Sequence, residues 1–388
     1  MSYAQRTESI EPFRVMQLLA EARQLEALGR DIVHFEIGEP DFPTPQPIVA
    51  AGIAALEQGK HHYTPAIGLS QLREAIAAHY QRETGQSIPS ARIVVAPGSS
   101  GALLLALGAL LDAGDGLLLT DPGYPCNRNF ARFLNVEVQS LAVDAANDFI
   151  PTPEQVRAAW KANTRVLMLA SPANPTGMLI SRSQLAALHQ TVRSLGGHLL
   201  VDEIYRGLVY EDEESVTAVA LDESIWVINS FSKFYGMTGW RVGWIVAPSD
   251  AIDALDRLAQ NLFLAASTPA QYAALAAFDP NTQEILEQRR HAFQQRRDLL
   301  LPELRTLGFE IARKPQGAFY LYANAARFTD QSEAWSREVL QRAGVAITPG
   351  ADFGSHHANT HVRFAYTVER PRIEEGLKRL HDFLRAGG

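Results

Sequence analysis

Five short apolar runs, each ending abruptly in small or polar residues, constrain the fold of this chain more than any other feature of its sequence. The runs cover residues 92–96, 116–120, 165–170, 198–201 and 225–228, and segments with helical periodicity follow them. Continuous apolar runs of this length that alternate with helices are typical of a mostly parallel sheet covered on both faces. The sequence therefore predicts an α/β fold whose large domain has a mostly parallel mixed sheet sandwiched by helices.

The loops that follow the five runs carry chemically useful side chains. These loops are Pro97-Gly98-Ser99-Ser100-Gly101, Asp121-Pro122-Gly123-Tyr124, the segment 171–177, Asp202-Glu203-Ile204-Tyr205 and the segment 230–233. Most of these residue types are also ordinary turn formers, so one loop alone would indicate little. Ligands of open α/β sheets bind beyond the carboxyl ends of the strands. Five such loops together predict a single ligand site at that edge of the sheet.

The two ends of the chain predict a second, smaller α+β domain. An amphipathic helix is expected from about Glu11 to Leu28, before a proline-rich extended passage at 34–45. A long polar helix is expected from about Asn281, followed by a strand pair near residues 308–311 and 318–322. We predict an N-terminal segment at 1–45 that packs on the small domain, a large domain at 46–285 and a C-terminal small domain at 286–388.

The composition argues against a nucleic-acid-binding protein, a disulfide-rich protein and a membrane-spanning protein. The chain has 388 residues, 46% hydrophobic content and a formal net charge of −8, and no dense Lys/Arg stripe suggests nucleic-acid binding. Its single cysteine, Cys126, excludes an internal disulfide framework, and a catalytic thiol is not expected at this position. The N-terminus lacks an apolar signal core, and no run of about twenty apolar residues occurs. A cytoplasmic protein is the simplest expectation.

Lys233 lies in the loop after the last apolar run and is the side chain best suited to a chemical reaction. A solvated lysine on a loop is the commonest fate of this residue type. A neutral lysine amine can, however, form an imine with an aldehyde. A phosphorylated aldehyde cofactor accounts for the groups on the other loops better than a bare substrate does.

An anion site is predicted from three segments. The stretch 98–101 opens a helix, so its free backbone N–H groups and the helix dipole would hold a phosphate. Arg241 would add a bidentate contact, and Ser230 and Ser232 could donate hydroxyls. The glycine–serine stretch is a weak signal by itself, because it matches neither the dinucleotide-binding nor the P-loop pattern.

The remaining loops offer partners for an aromatic ring. Asp202 lies at the end of an apolar run, where a buried carboxylate needs a partner, and a pyridinium nitrogen would serve. The ion pair would keep the ring protonated and therefore electron-withdrawing. Tyr205 and Asn174 could hydrogen-bond the phenolic oxygen of the ring, and Tyr124 could stack on its face.

Several stretches resemble a known family. The stretch SFSKFYGMTGWRVG at 230–243 is similar to the pyridoxal-phosphate attachment signature of class I aminotransferases. Four other stretches resemble further motifs of that family: PANPTG at 172–177, VDEIY at 201–205, FEIGEPDFPTP at 35–45 and YTPAIGLSQLREAI at 63–76. The resemblance extends from about residue 30 to the C-terminus. It implies the type I pyridoxal-phosphate fold, a homodimer, and transfer of an amino group from an amino acid to a 2-oxo acid.

The resemblance also implies roles for individual residues. Lys233 would be the Schiff-base lysine and proton shuttle of a ping-pong reaction that passes through the pyridoxamine form. The other implied cofactor contacts are Asp202 at the ring nitrogen, Tyr205 and Asn174 at the ring oxygen, Tyr124 on the ring face, and Ser99, Ser100, Ser230 and Arg241 at the phosphate. Tyr63 would reach the phosphate in the neighbouring subunit's site. Arg363 would grip the substrate carboxylate, beside Gly38 and Asn174.

Three alternatives remain at this point. A C–S or C–C lyase could use the same electron sink, and a non-catalytic regulatory protein could keep the cofactor without turnover, although the chain has no spare segment for a partner domain. A nicotinamide-dependent dehydrogenase would lack its glycine fingerprint and leave Lys233 unexplained.

The donor is expected to be a neutral or aromatic amino acid, because NLFLAAST at 261–268 is apolar and small, but aspartate stays open. No metal is expected: the histidine groups at 61–62 and 356–361 lack carboxylate or cysteine partners at ligand spacing.

Overall fold

A seven-stranded sheet forms the centre of the computed structural model, which describes residues 3–4, 6–211 and 216–387. Its strands are β2 (Ile93–Ala96), β3 (Gly116–Asp121), β4 (Glu137–Ala142), β5 (Thr164–Ala170), β6 (His198–Asp202), β7 (Trp226–Ser230) and β8 (Gly243–Val246). They lie in the order β2-β8-β7-β6-β5-β3-β4. Only β8 runs antiparallel to its neighbours. The predicted α/β class with a mostly parallel mixed sheet is confirmed.

Both faces of this sheet are buried, which explains the continuous apolar runs. Along β2, Ile93 and Val95 belong to one hydrophobic cluster, whereas Val94 and Ala96 belong to a second cluster. Successive side chains of a strand point to opposite faces, so each face carries its own core. All five apolar runs are strands. Strand β4 was not predicted, because its position at the edge leaves every second or third side chain exposed.

Thirteen α-helices lie within the described residues. They are α1 (Arg6–Ser9), α2 (Arg14–Ala27), α3 (Gln46–Glu57), α4 (Ser70–Thr84), α5 (Gly98–Leu110), α6 (Pro125–Phe133), α7 (Pro153–Ala159), α8 (Arg182–Ser194), α9 (Ile252–Leu262), α10 (Thr268–Leu275), α11 (Pro280–Leu307), α12 (Ser332–Ala343) and α13 (Arg370–Arg385). The amphipathic N-terminal helix and the long helix beginning near 281 are both present. The proposed boundary at 285/286 falls inside α11, and the three-part division of the chain stays a prediction.

Two small sheets join the ends of the chain. Strand β1 (Val33–His34) pairs in parallel with β10 (Val345–Ala346), and β9 (Tyr320–Asn324) pairs with β12 (His361–Ala365), which pairs with β11 (Thr348–Pro349). The prediction of a strand at 308–311 was wrong. Gly308 ends α11 with a φ of +106°, and the segment after it makes only an isolated bridge, from Glu310 to Asn324. Because Gly308 adopts the left-handed conformation that ends the helix, the segment that begins there cannot be extended from its first residue.

His34 ties the carboxyl-terminal part of α2 to β1. Its Nδ1 lies 2.7 Å from Oε1 of the buried Glu36, and its Nε2 lies 3.1 Å from Oε1 of Glu26 on α2. The hydrogen bond to Glu36, together with the two carboxylate charges, raises the pKa of His34 to about 9, although burial opposes the shift. The imidazolium is therefore the form that the folded protein stabilises near neutral pH.

The contribution of His34 to stability is expected to disappear in alkali. A group whose pKa is higher in the folded state than in the unfolded state stabilises the folded protein fully at pH values below the unfolded pKa, which is about 6.5 for histidine. This stabilisation is lost as the pH rises through the folded-state pKa, about 9 for His34. The difference in unfolding free energy between the wild type and His34→Gln should therefore shrink between about pH 6 and pH 10. Urea unfolding at several pH values measures it, with the exposed His291→Gln as control. A difference that stays constant with pH would contradict the ion pair.

Candidate active site

The carboxyl ends of the parallel strands converge on a cavity of about 280 Å³. Ten of the residues predicted for the site line it: Gly38, Ser99, Ser100, Tyr124, Asn174, Asp202, Tyr205, Lys233, Arg241 and Arg363. They come from five separate loops of the large sheet and from two segments near the ends of the chain. The structure thus brings together side chains that are more than 300 residues apart in sequence.

Lys233 lies just past the end of β7, where its side chain enters the cavity. Its Nζ donates a hydrogen bond of 2.7 Å to the carbonyl oxygen of Gly38. Burial lowers the pKa of Lys233 to about 8; the charges of Arg363 and Arg241 act in the same direction, while Glu39 and Asp202 oppose them. A lysine with this pKa keeps a usable fraction of neutral, nucleophilic amine near neutral pH.

Asp202 ends β6 and is only 7% exposed. Its Oδ1 accepts a hydrogen bond of 3.0 Å from the backbone N–H of Ile204. Burial raises the pKa of Asp202 to about 6, against the opposing effects of that N–H group and of the positive charge on Lys233. A buried carboxylate in a cavity wall is suited to a cationic ligand group, which would restore its ordinary pKa.

The start of α5 and Arg241 form an anion cradle. The helix begins at Gly98, which has a φ of +73°, and Pro97 before it provides no side-chain cap, so the first N–H groups are available to a ligand. A Cβ atom at Gly98 would collide with Nη2 of Arg241, which shows how closely the guanidinium approaches the helix start. Nη1 of Arg241 donates to the carbonyl oxygen of Thr238 at 2.9 Å. This arrangement fits a phosphate.

Arg363, on β12, is buried without an ion pair among the residues described. Nη1 donates to Oδ1 of Asn174 at 2.9 Å, and Nη2 donates to the carbonyl oxygen of Glu36 at 2.6 Å. The guanidinium carbon lies 4.3 Å from the ring centre of Tyr320 and 4.9 Å from that of Phe353. Nε has no hydrogen-bond partner within the described chain. A buried cation held only by neutral groups is expected to bind an anion.

Two predicted residues lie away from the cavity wall. Ser230 is fully buried at the end of β7, with its Oγ 2.8 Å from Oγ of Ser232, and Ser232 is the hydroxyl that lines the cavity. Tyr63 lies on the loop between α3 and α4, is 83% exposed, and does not line the cavity of its own chain.

Sequence reasoning missed several residues of the wall. The hydroxyl of Tyr320 lies 2.7 Å from that of Tyr205. A Cβ at Gly38 would collide with the Tyr320 hydroxyl, which accounts for the glycine at position 38. Helix α2 and the residue before it contribute an apolar wall made of Phe13, Val15, Met16 and Leu19. The apolar periodicity of α2 was visible in the sequence, but its position beside the cavity was not.

The described residues contain neither a metal-binding cluster nor a helix that could span a membrane. No group of three or more His, Cys, Asp or Glu side chains could hold a metal ion in this part of the chain. None of the helices in it has the length and apolar character needed to cross a membrane.

Comparison with known proteins identifies the family. A family model described as aminotransferase class I and II matches residues 30–380. The chain therefore belongs to this family, and it is a transaminase.

Individual relatives match over nearly the full length. The (5-formylfuran-3-yl)methyl phosphate transaminase of Methanocaldococcus jannaschii is 38% identical and covers 98% of this chain and 99% of its own. The valine–pyruvate aminotransferase of Mycobacterium tuberculosis is 37% identical, with 97% of each chain covered. The crystal structure of an aminotransferase from Mycobacterium tuberculosis superposes with a TM-score of 0.96 at 36% identity over all of both chains. The transaminase interpretation is confirmed over the lyase, regulatory and dehydrogenase alternatives.

Proposed function

We propose that this transaminase uses pyridoxal 5'-phosphate and that Lys233 is its point of attachment. The observation that carries the proposal is one cavity that combines a lysine of lowered pKa, a buried carboxylate and an anion cradle. The bound cofactor supplies an aldehyde for the amino group and a pyridinium ring that withdraws electrons from the substrate Cα. Arg241 and the start of α5, with Ser99 and Ser100, would hold its phosphate, and Ser230 would act there through Ser232.

The remaining side chains of the cavity orient the ring and move the proton. Asp202 would keep the ring nitrogen protonated, Tyr124 would stack on the ring face, and Tyr205 would donate its hydroxyl to the ring oxygen. Once the donor is bound, Nζ of Lys233 would be free to remove the proton from the donor Cα and to return it to the cofactor carbon that receives the amino group, after which water would release the 2-oxo acid. Lys233 therefore serves both as tether and as general base.

Arg363 anchors the donor through its α-carboxylate. Its guanidinium is already oriented by Asn174 and by the carbonyl oxygen of Glu36, so little side-chain entropy is lost on binding. Gly38 keeps the neighbouring wall free of a side chain, because Tyr320 fills the space that a Cβ would need. A bidentate carboxylate–guanidinium contact fixes the donor with its Cα facing Lys233.

The far wall of the cavity favours a neutral, apolar donor side chain. Phe13, Val15, Met16 and Leu19 line it. The cationic side chains among the lining residues are Lys233, Arg241 and Arg363, and each already has a role. A dicarboxylate donor would need a further cation, because a carboxylate left without a partner against an apolar wall loses hydration.

We expect kcat/KM for leucine or phenylalanine to exceed that for aspartate by at least about tenfold, because each buried methylene contributes about 0.8 kcal/mol. Initial rates with a panel of donors and one fixed 2-oxo acid measure this. Phenethylamine, which is phenylalanine without its carboxylate, is the matched control for Arg363 and should be a very poor donor. Equal or better activity with aspartate would contradict the neutral-donor assignment.

We further propose a homodimer in which Tyr63 reaches the phosphate of the partner's site. Tyr63 is exposed in the single chain, and other large apolar side chains are also at least half exposed: Ile53, Leu56, Leu262 and Leu264. A subunit interface would cover such residues.

Mixing subunits tests where Tyr63 acts. Lys233→Ala and Tyr63→Phe, each impaired alone, are refolded together so that mixed dimers form. In a mixed dimer, one site would combine Lys233 from one chain with Tyr63 from the other and should regain normal cofactor affinity. A mixture no better than the Tyr63→Phe protein, or a chain that sediments as a monomer, would contradict the proposal.

A further inference from the structure

Helix α2 presents two different faces. Leu18 and Ala22 are buried against Leu340 and Ala346 of the C-terminal part of the chain. Val15, Met16 and Leu19 instead line the cavity. The position of α2 therefore sets the shape of the wall that faces the donor side chain.

The beginning of α2 is capped from a distant part of the chain. Phe13 occupies the N-cap position and has no side chain able to accept a hydrogen bond. The backbone N–H of Arg14 donates instead to Oδ1 of Asp352 at 2.9 Å, across 338 residues of sequence. Asp352 is 1% exposed, and its Oδ2 has no hydrogen-bond partner among the described residues. The negative charge also complements the positive end of the helix dipole.

Asp352 also lies next to the substrate-anchoring region. It ends a short 3₁₀ turn, Gly350–Asp352, between β11 and β12, and β12 carries Arg363. The ring of Phe353, the next residue, lies 4.9 Å from the Arg363 guanidinium carbon. The carbonyl oxygen of Asp352 accepts a hydrogen bond of 2.6 Å from Nη2 of Arg128 on α6, the helix that follows Tyr124. One residue thus connects α2 with the walls that hold the carboxylate and the ring.

We propose that Asp352 is a positioning residue that fixes the start of α2 and thereby the apolar wall for large donor side chains. The inference rests on the proposed neutral-donor function. Without the cap, α2 would occupy its place in only a fraction of molecules, and the apparent affinity for donors that touch the wall would fall by that fraction. Alanine as donor has no side chain long enough to need the wall and would be affected little.

Asp352→Ala is expected to raise KM for phenylalanine by between about twofold and thirtyfold, the range that corresponds to loss of a helix cap. KM for alanine and kcat for both donors should change by less than about twofold. Asp352→Asn keeps an oxygen acceptor and should restore most of the affinity. Glu333→Ala is the matched control: it removes the carboxylate that accepts from Nε of Arg14 at 3.2 Å and leaves the backbone cap in place.

Hydrogen exchange provides a readout that does not depend on the donor. Backbone amides of Arg14 and Val15 should exchange faster in Asp352→Ala than in the wild type, Asp352→Asn or Glu333→Ala. If exchange is faster in Asp352→Ala but the wild type shows no preference for large neutral donors, the donor assignment would be overturned. The conclusion that Asp352 caps α2 would still hold. Unchanged exchange, or an equal rise in KM for both donors together with a lowered melting temperature, would overturn the positioning role.

Discussion

Replacing Lys233 by alanine is expected to lower turnover by about a hundred- to ten-thousandfold, the range for a positioned acid–base group. Two effects would combine if Lys233 has the proposed roles. The variant would lose the attachment point of the cofactor, and it would lose the amine that takes the proton from the donor Cα; no other lysine lies among the described lining residues. The fold should survive. The side chain of Lys233 is only partly buried. Among the described residues it donates a hydrogen bond to the carbonyl oxygen of Gly38, which lies in the cavity wall and not in the hydrophobic core, so its loss should cost little stability.

Steady-state rates with phenylalanine, together with far-ultraviolet circular dichroism, test this expectation. Lys161→Ala is the matched control, because Lys161 is an exposed lysine paired with Glu137 and should be neutral. Turnover of Lys233→Ala within about tenfold of the wild type would contradict the assignment of Lys233.

The second large effect is expected for Asp202→Asn. An asparagine has nearly the same shape and can still accept from the N–H of Ile204, so the cofactor should bind, but a neutral amide cannot hold a positive charge on the ring nitrogen. Loss of one preorganised electrostatic group in a buried site costs about a hundred- to thousandfold in rate. The step affected is removal of the donor α-proton.

Stopped-flow single turnovers with ordinary and α-deuterated phenylalanine measure that step directly. The variant should be slow, and its deuterium isotope effect should be at least as large as that of the wild type, because proton removal becomes fully rate-limiting. Asp250→Asn, which changes an exposed carboxylate, is the control. An unchanged single-turnover rate would argue against the pairing of Asp202 with a ring nitrogen.

Much of the central sheet could be predicted because burial on both faces leaves a local signature. Strands such as β5 and β6 are continuous apolar runs, so the polar residue that ends each one stands out, and Asp202 was recognised in this way. Strand β4 escaped because one side of it is exposed. The segment at 308–311 was wrongly predicted because a helix-terminating glycine followed by apolar residues resembles the start of a strand.

The substrate side of the cavity was less accessible to sequence reasoning. Arg363 could be assigned only through the family resemblance, because its burial and its partners Asn174 and Glu36 come from segments far away in sequence. The wall from α2 and the cap by Asp352 depend on contacts across more than 300 residues, for which apolar periodicity contains no information. Long-range packing determines these features, and only the folded chain displays them.

The most direct test of the central claim is one half of the reaction. The purified protein, loaded with pyridoxal 5'-phosphate, is mixed with phenylalanine and no 2-oxo acid acceptor, and the products are counted per active site. We predict close to one equivalent of 2-oxo acid and no free ammonia, because the amino group stays with the enzyme until an acceptor arrives. Continued release of 2-oxo acid together with ammonia would contradict amino-group transfer at the Lys233 site, and so would the absence of any product with phenylalanine, leucine and aspartate alike.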